Sequence, residues 1–161
     1  MKTDKTVVMK LLDKRGIEYT PYVFDSPTAL SAEEMAVKLG KRNCDIFKTL
    51  VTVGKSGTNY VFILPAGTEL DLKKAAKSVN EKSIEMIKSK DLLPLTGYIH
   101  GGCSPIGMKK TFMTTIDSAC RDVPTITVSA GALGRQIELT LESLAKVIRF
   151  QIADITADTT A

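Results

Sequence analysis

A lysine within an apolar run is the first residue of this sequence that could do chemistry. Lys48 lies in the segment 45–51, which reads Asp-Ile-Phe-Lys-Thr-Leu-Val. Because side chains alternate along a strand, Lys48 would share a face with Ile46 and Leu50. It is then either an edge lysine that reaches solvent and blocks strand pairing, or a pocket lysine whose point charge suits a phosphate or a developing oxyanion. Position alone leaves both interpretations open.

A glycine-rich loop is the second candidate. Residues 97–107 read Gly-Tyr-Ile-His-Gly-Gly-Cys-Ser-Pro-Ile-Gly. Gly101 and Gly102 allow the backbone to approach a ligand closely and to present N–H groups to an anion or a carbonyl oxygen. The spacing fits neither a P-loop nor a dinucleotide-binding fingerprint. The alternative is a plain turn into the Ser104-Pro105 bend, but the loop holds more glycines than a turn needs, and we favour a binding role.

A similar pattern recurs near residue 130, where Ser129 precedes Gly131 and Gln136 follows Gly134. Taken alone, this pattern is better explained by a connecting turn. The glycine-rich loop also holds Cys103 and His100, three residues apart, which could form a thiol–imidazole pair. Nothing in the sequence orients that imidazole, so we interpret Cys103 as a small buried residue.

Other familiar sites are absent from the sequence. It contains no Gly-x-Ser-x-Gly nucleophile motif and no carboxylate pair that indicates glycosidase chemistry. One histidine and three scattered cysteines without CxxC spacing match no common zinc pattern. We therefore expect neither a metal nor a cofactor.

Length and charge limit the class of protein. The 161 residues, 43% of them hydrophobic, indicate one globular domain over 1–161, with residues 156–161 expected to form a disordered tail. The net charge of +4 permits contact with a nucleic-acid backbone, but there is no basic run of the kind found in nucleic-acid tails. No apolar run approaches the roughly 20 residues that cross a bilayer. The sequence therefore predicts a cytoplasmic protein with reduced thiols and without a membrane or DNA partner.

The elements that position these residues are of mixed type. The first helix is predicted through Val7, Val8, Leu11 and Leu12 and ends before Gly16. The second follows the capping box of Ser31 and Glu34, the third runs from Asp71 through Ser78, and the fourth covers 89–95 despite Pro94. The fifth follows Thr140 and has Leu141, Leu144, Ala145 and Ile148 on one face. Strands are predicted over 17–24, 46–53, 59–64, 111–117, 125–129 and 136–139, the second and third joined as a hairpin by the turn 54–57. Because strands are grouped instead of alternating with helices, we predict an α+β fold with a curved mixed sheet flanked by helices.

Three segments in combination resemble the YbaK/EbsC family of aminoacyl-tRNA editing proteins. They are Phe47-Lys48-Thr49-Leu50, the glycine-rich loop 97–107, and Val128-Ser129-Ala130-Gly131 continuing to 137–139. The segment 71–77 resembles the family's helix at that place, and the similarity spans nearly the whole chain in order and spacing. The resemblance implies a barrel-like mixed sheet flanked by helices, as in the editing insertion of bacterial prolyl-tRNA synthetases. It also implies deacylation in trans of mischarged Cys-tRNA(Pro).

The resemblance further implies which residues act. Lys48 and Gly101 take catalytic positions, and the residues implied in substrate binding are Phe24, Phe47, Thr49, Gly102, Ser104, Pro105, Ser129, Gly131 and Gln136. Two positions depart from the family: Phe24 stands where a tyrosine is common, and Gln136 where the residue is often acidic.

The implied partners are the 3′ acceptor end of aminoacyl-tRNA and, as a candidate, prolyl-tRNA synthetase. The implied chemistry is substrate-assisted and lyase-type, with the cysteine thiol attacking its own ester carbonyl. Two alternatives stay open: a deacylase for Ala- or Ser-tRNA, and a non-catalytic tRNA- or synthetase-binding module of the same fold.

Overall fold

A computed structural model describes residues 5–158 of the chain. These residues form five α-helices and eight β-strands. The helices are α1 (Val7–Lys14), α2 (Ala32–Leu39), α3 (Leu72–Ser78), α4 (Ser89–Thr96) and α5 (Leu141–Ala145). The strands are β1 (Thr20–Val23), β2 (Phe47–Gly54), β3 (Asn59–Pro65), β4 (Ile84–Met86), β5 (Met113–Asp117), β6 (Ile126–Ala132), β7 (Arg135–Leu139) and β8 (Gln151–Ala153).

Local capping sets where the helices begin. Ser31 and Glu34 form a reciprocal capping box at the start of α2, and Gly40 ends that helix in the left-handed conformation. The Asp71 carboxylate accepts the first free N–H groups of α3, and the Thr140 hydroxyl caps α5. The predicted helix starts are confirmed, and Pro94 is accommodated inside α4.

The strands form two sheets. The first is antiparallel with the order β1-β7-β6, and the second is mixed with the order β4-β2-β3-β5-β8. An isolated parallel bridge between Ile46 and Thr127 links the start of β2 to β6. The α+β class with mixed strand directions is confirmed; the strands form two sheets, which this bridge connects.

The core is largest between the two sheets. There the inward side chains of β3, Val61 and Ile63, pack with those of β6 and with α1. The opposite face of β3 presents Tyr60, Phe62 and Leu64 to α3. Because β3 is buried on both faces, its sequence is a continuous apolar run instead of an alternating one. A third, smaller cluster of apolar side chains joins α2 to Ile46. No helix among residues 5–158 is long and apolar enough to span a membrane.

Several predicted boundaries were wrong. The first strand begins at Thr20 because the N–H of Ile17 closes the end of α1 on the carbonyl oxygen of Leu12, 2.9 Å away. The last helix ends at Ala145 and does not reach Ile148.

The short strands β4 and β8 were not predicted. Each has only three residues, too few to show a period.

The first residues of the predicted tail, 156–158, make contacts with the segment before α3 and with α3 itself. Thr156 pairs with Leu70 in an isolated antiparallel bridge, and the N–H of Ala157 donates to the carbonyl oxygen of Glu69 at 2.8 Å. The Lys74 ammonium contacts both Thr156 and Asp158. The remainder of the predicted tail, 159–161, lies outside the described residues.

A polar cluster around Glu138 stabilises the outer face of the three-stranded sheet. The Glu138 carboxylate accepts from Thr125 Oγ1 at 2.6 Å, from Tyr22 Oη at 2.6 Å and from Lys41 Nζ at 2.9 Å. These contacts, the Thr125 hydroxyl first, lower the pKa of Glu138 from 4.5 to about 2. Because the folded pKa is depressed, the stabilisation is present above the unfolded value and is lost as pH falls from 4.5 toward about 2.

We therefore expect Glu138→Gln to lower the free energy of unfolding at neutral pH by about 1–2 kcal/mol. Urea unfolding of both proteins at pH 7 and pH 3 measures this effect, and the difference between them should shrink at the lower pH. Glu18→Gln, at an exposed position, is the control and should leave stability unchanged. An equal loss at both pH values would contradict this assignment.

Candidate active site

A cavity of about 470 Å³ opens at the junction of the two sheets. Residues 46–51 of the β2 segment supply one wall, and residues 30–35 around the start of α2 supply another. The remaining lining comes from Met86, Ile87, Ser89 and Leu92, from the glycine-rich loop, from Ser129 on β6 and from Gln136 on β7. Its volume lies in the range of small-molecule binding pockets.

Lys48 lines this cavity, with its neighbours Phe47 and Thr49. Its ammonium is partly buried and donates to the main-chain oxygen of Thr68 at 2.6 Å. Within residues 5–158 it forms no salt bridge, in contrast to Lys41 and Lys74. Its charge is therefore not neutralised by a carboxylate, and the structure favours the pocket interpretation over an edge lysine.

Gly101 lines the cavity opposite the segment before α2. Its φ of +85° lies in the region that glycine adopts freely, and a Cβ there would come within 2.4 Å of the Ala29 Cβ. The N–H of Gly102 is already used inside the loop, because it donates to the Ile99 oxygen at 3.0 Å. The N–H of Gly101 has no hydrogen-bond partner within residues 5–158.

Ser129 and Gln136 form a polar pair at the β6–β7 side of the cavity. They face each other in the antiparallel ladder, one residue before a bulge in β6. The Ser129 hydroxyl accepts the N–H of Gly131 at 3.2 Å. Gln136 as a whole residue is 5% exposed, and its side-chain amide makes no hydrogen bond within residues 5–158. Its amide atoms are not among the fully enclosed polar atoms that lack a partner, and Gln136 lines the cavity, so the amide is a group available to a ligand.

Five residues implied in substrate binding lie outside the cavity lining. Phe24 packs against α2, with the Lys38 ammonium 5.4 Å from its ring centre. A Cβ on Gly102 would lie 3.3 Å from the Ala132 backbone, and one on Gly131 would lie 2.9 Å from the Tyr98 ring. Ser104 and Pro105 are buried, and the Ser104 hydroxyl accepts the N–H of Ile106.

These five residues shape the loops behind the cavity in this structure, and a direct role for them in binding stays a prediction. By contrast, six of the implied residues come together in the lining: Phe47, Lys48, Thr49, Gly101, Ser129 and Gln136.

Cys103 and His100 both line the cavity, although sequence reasoning gave them no role. No hydrogen bond joins the two side chains within residues 5–158. Burial raises the pKa of the Cys103 thiol to about 11, so the thiolate form is scarce at neutral pH. Cys103 is therefore a poor nucleophile here, and its thiol forms part of the cavity wall.

The rest of the wall is mostly apolar and was not foreseen. It includes Leu30, Met35, Leu50, Met86, Ile87 and Leu92. These residues come from three separate segments, and no motif connects them. Within residues 5–158, no group of three or more His, Cys, Asp or Glu side chains is placed to hold a metal ion.

Known proteins are similar to this chain in both sequence and fold. Residues 26–147 match the family model described as the aminoacyl-tRNA editing domain. A relative from Enterococcus faecalis, named as a proposed Cys-tRNA(Pro)/Cys-tRNA(Cys) deacylase, EbsC, is 46% identical over 94% of this chain and 93% of its own length. The match therefore extends well beyond the short motifs.

Two solved structures extend the comparison. A proposed trans-editing enzyme for prolyl-tRNA synthetase is 25% identical, with a TM-score of 0.80 over 94% of this chain and 95% of that one. A hypothetical protein with 20% identity has the same fold, with a TM-score of 0.82 over 93% of this chain and 99% of that one. The extent of the family match, together with the 46% identity to the relative from Enterococcus faecalis, shows that this chain belongs to the aminoacyl-tRNA editing domain family.

Proposed function

We propose that the chain deacylates mischarged tRNA in trans, with cysteinyl-tRNA(Pro) as its substrate. The observation that carries this proposal is a lysine without a carboxylate partner in a cavity that offers no activated nucleophile. Lys48 lines the cavity, and the one thiol there, that of Cys103, has its pKa raised to about 11. The 46% identical relative named as a Cys-tRNA(Pro)/Cys-tRNA(Cys) deacylase supports the choice of substrate.

The reaction uses the nucleophile of the substrate itself. The cysteine sulfur forms a bond to its own ester carbonyl carbon, and the thiol proton leaves to solvent. The bond from that carbon to the ribose oxygen then breaks, and the ribose oxygen takes up a proton. The products are tRNA and a cysteine thiolactone, which water hydrolyses to cysteine. The protein's contribution is then positioning and electrostatic stabilisation.

Lys48 and Gly101 act on the developing negative charge. The ammonium of Lys48 keeps two of its three N–H donors after the bond to Thr68. These donors stabilise the carbonyl oxygen as it becomes an oxyanion, or the adjoining phosphate of the terminal nucleotide. Gly101 also lines the cavity, and its N–H, which has no partner within residues 5–158, would supply a second donor.

Ser129 and Gln136 contact the aminoacyl group. Their hydroxyl and amide groups are the polar side-chain groups that β6 and β7 contribute to the lining. A cavity of about 470 Å³ is larger than a cysteinyl group requires, and the apolar wall takes the terminal nucleoside. Both parts of the 3′ end then enter the same cavity.

A separate editing site is useful because cysteine and proline are similar in size. A synthetase pocket discriminates weakly between near-isosteres by packing alone. The net charge of +4 gives modest attraction to tRNA, so selection of tRNA(Pro) fits a complex with prolyl-tRNA synthetase. We place this activity in the cytoplasm, where aminoacyl-tRNA is made and used.

Comparison of three esters of the same tRNA tests the proposal. The purified chain is incubated with cysteinyl-, seryl- and alanyl-tRNA(Pro), and the remaining ester is measured over time. Thiol assistance predicts rapid loss of the cysteinyl ester and slow loss of the other two, because a serine hydroxyl is a weaker nucleophile. Equal loss of the alanyl ester would reject thiol assistance and assign a broader deacylase.

Replacement of Gln136 tests the polar end of the cavity. Gln136→Leu keeps the volume but removes an amide that makes no hydrogen bond within residues 5–158. We expect the stability to hold or to rise, and kcat/KM for the cysteinyl ester to fall by about tenfold. Kinetics beside thermal unfolding measure both quantities. Unchanged kinetics would remove Gln136 from the substrate contacts.

A further inference from the structure

The turn after β3 contacts the lysine of the cavity from behind. The ammonium of Lys48 donates to the main-chain oxygen of Thr68 at 2.6 Å. Thr68 does not line the cavity itself, and it is half-buried. The hydrogen bond therefore connects Lys48, which lines the cavity, to Thr68, which does not.

This turn is fixed on its β3 side. The hydroxyl of Thr68 donates to the carbonyl oxygen of Pro65 at 2.6 Å, while the Thr68 N–H makes a longer bond of 3.3 Å to the same oxygen. Pro65 lies opposite Phe47 in the ladder between β2 and β3. The N–H of Ala66 donates to Ile46 at 2.7 Å, next to that pair. The turn thus belongs to the same rigid hairpin that carries Lys48.

The turn is also fixed on its other side. Gly67 adopts a φ of +79°, which reverses the chain between Pro65 and Thr68. Beyond Thr68, the Glu69 oxygen accepts the N–H of Ala157, and Leu70 pairs with Thr156. The carbonyl of Thr68 is therefore held from both directions.

We propose that Thr68 is a positioning residue, which holds its carbonyl on the Lys48 ammonium and so directs the other two N–H donors into the cavity. A lysine side chain has four rotatable carbon–carbon bonds, and a fixed acceptor removes this freedom before substrate binds. The orientation is then in place when the oxyanion develops. This proposal deepens the deacylase function proposed above and rests on it for its kinetic effect.

A pair of substitutions at Thr68 isolates the hydroxyl. Thr68→Val has nearly the same shape but cannot donate to Pro65, whereas Thr68→Ser keeps the donor. We expect Thr68→Val to reduce kcat for cysteinyl-tRNA(Pro) by roughly 10-fold at unchanged KM, since a small misplacement of a catalytic group is costly. Thr68→Ser should retain the wild-type kcat. Thermal unfolding of both variants shows whether each one folds.

A spectroscopic readout separates positioning from general loosening. In a side-chain ¹H–¹⁵N spectrum, an ammonium held by a carbonyl exchanges its protons slowly and gives a detectable signal. The Lys48 signal is assigned by its absence in Lys48→Ala. It should be present in the wild type and in Thr68→Ser, and broadened or shifted in Thr68→Val.

The outcomes are distinct. A Lys48 signal that is the same in Thr68→Val and in the wild type would overturn the proposal, as would a normal kcat in Thr68→Val. Equal kinetic loss in Thr68→Ser and Thr68→Val would overturn it as well, because the hydroxyl would then be irrelevant. If no variant and no wild-type protein deacylates the tRNA, the proposed function fails, yet the spectrum still decides whether Thr68 orients Lys48.

Discussion

Replacing Lys48 with alanine is expected to reduce the deacylation of cysteinyl-tRNA(Pro) by about 100- to 1000-fold, the range seen when one donor to a developing oxyanion is removed. Within residues 5–158, Lys48 is the lysine that lines the cavity, and it forms no salt bridge with a carboxylate. No other lysine or arginine of the lining can therefore replace its charge in the variant. Single-turnover rates with enzyme in excess measure the loss.

The control for this substitution is Lys55→Ala. Lys55 lies in the exposed turn of the same β2–β3 hairpin, so the variant changes the net charge equally without touching the cavity. We expect it to have wild-type rates. Near-normal turnover in Lys48→Ala, or an equal loss in Lys55→Ala, would reject the catalytic role of Lys48.

Replacing Gly101 with alanine is expected to have an effect of similar size, but for a steric reason. A Cβ there would come within 2.4 Å of the Ala29 Cβ and 3.1 Å of its Cα, so the segment before α2 has to move. That segment continues into the cavity wall at residues 30–35. We expect a loss of activity of at least about 100-fold, because the wall and the free N–H of Gly101 shift together.

Gly97→Ala is the matched control in the same loop. Gly97 has nearly the same φ, +84°, but a Cβ there meets only the Lys109 side chain at an ordinary 3.9 Å. Both variants carry the backbone strain of a left-handed residue, about 1–2 kcal/mol. We expect similar thermal destabilisation from that strain and a large kinetic loss in Gly101→Ala alone. Comparable kinetic losses in both would show that strain, and not the cavity wall, is the cause.

The parts of this fold that sequence predicted well are those decided by neighbours in the chain. Ser31 and Glu34 cap α2, and Asp71 caps α3, because each bonds within three residues of itself. The hairpin around 54–57 is local in the same sense. By contrast, β8 has three residues, and it is a strand only because β5 lies beside it, more than thirty residues away in the chain.

The residues of the candidate site also fall into those that the sequence indicated and those that depend on long-range packing. The residue pattern singled out Lys48 and Gly101, the resemblance added roles for Ser129 and Gln136, and all four line one cavity. Whether Lys48 was an edge residue or a pocket residue could not be decided from β2, because its face is covered by α2, α4 and a loop that long-range packing places there. Met86 and Leu92 were missed for the same reason, since apolar residues line a pocket without any distinctive spacing.

The most direct test of this account is the rate at which the ester of cysteinyl-tRNA(Pro) is lost in the presence of the purified chain, measured together with tRNA binding. We predict rapid loss above the spontaneous rate, reduced by about 100- to 1000-fold in Lys48→Ala while the tRNA still binds. A wild-type protein that binds the tRNA and leaves the ester intact would contradict the account and identify the chain as a non-catalytic binding module.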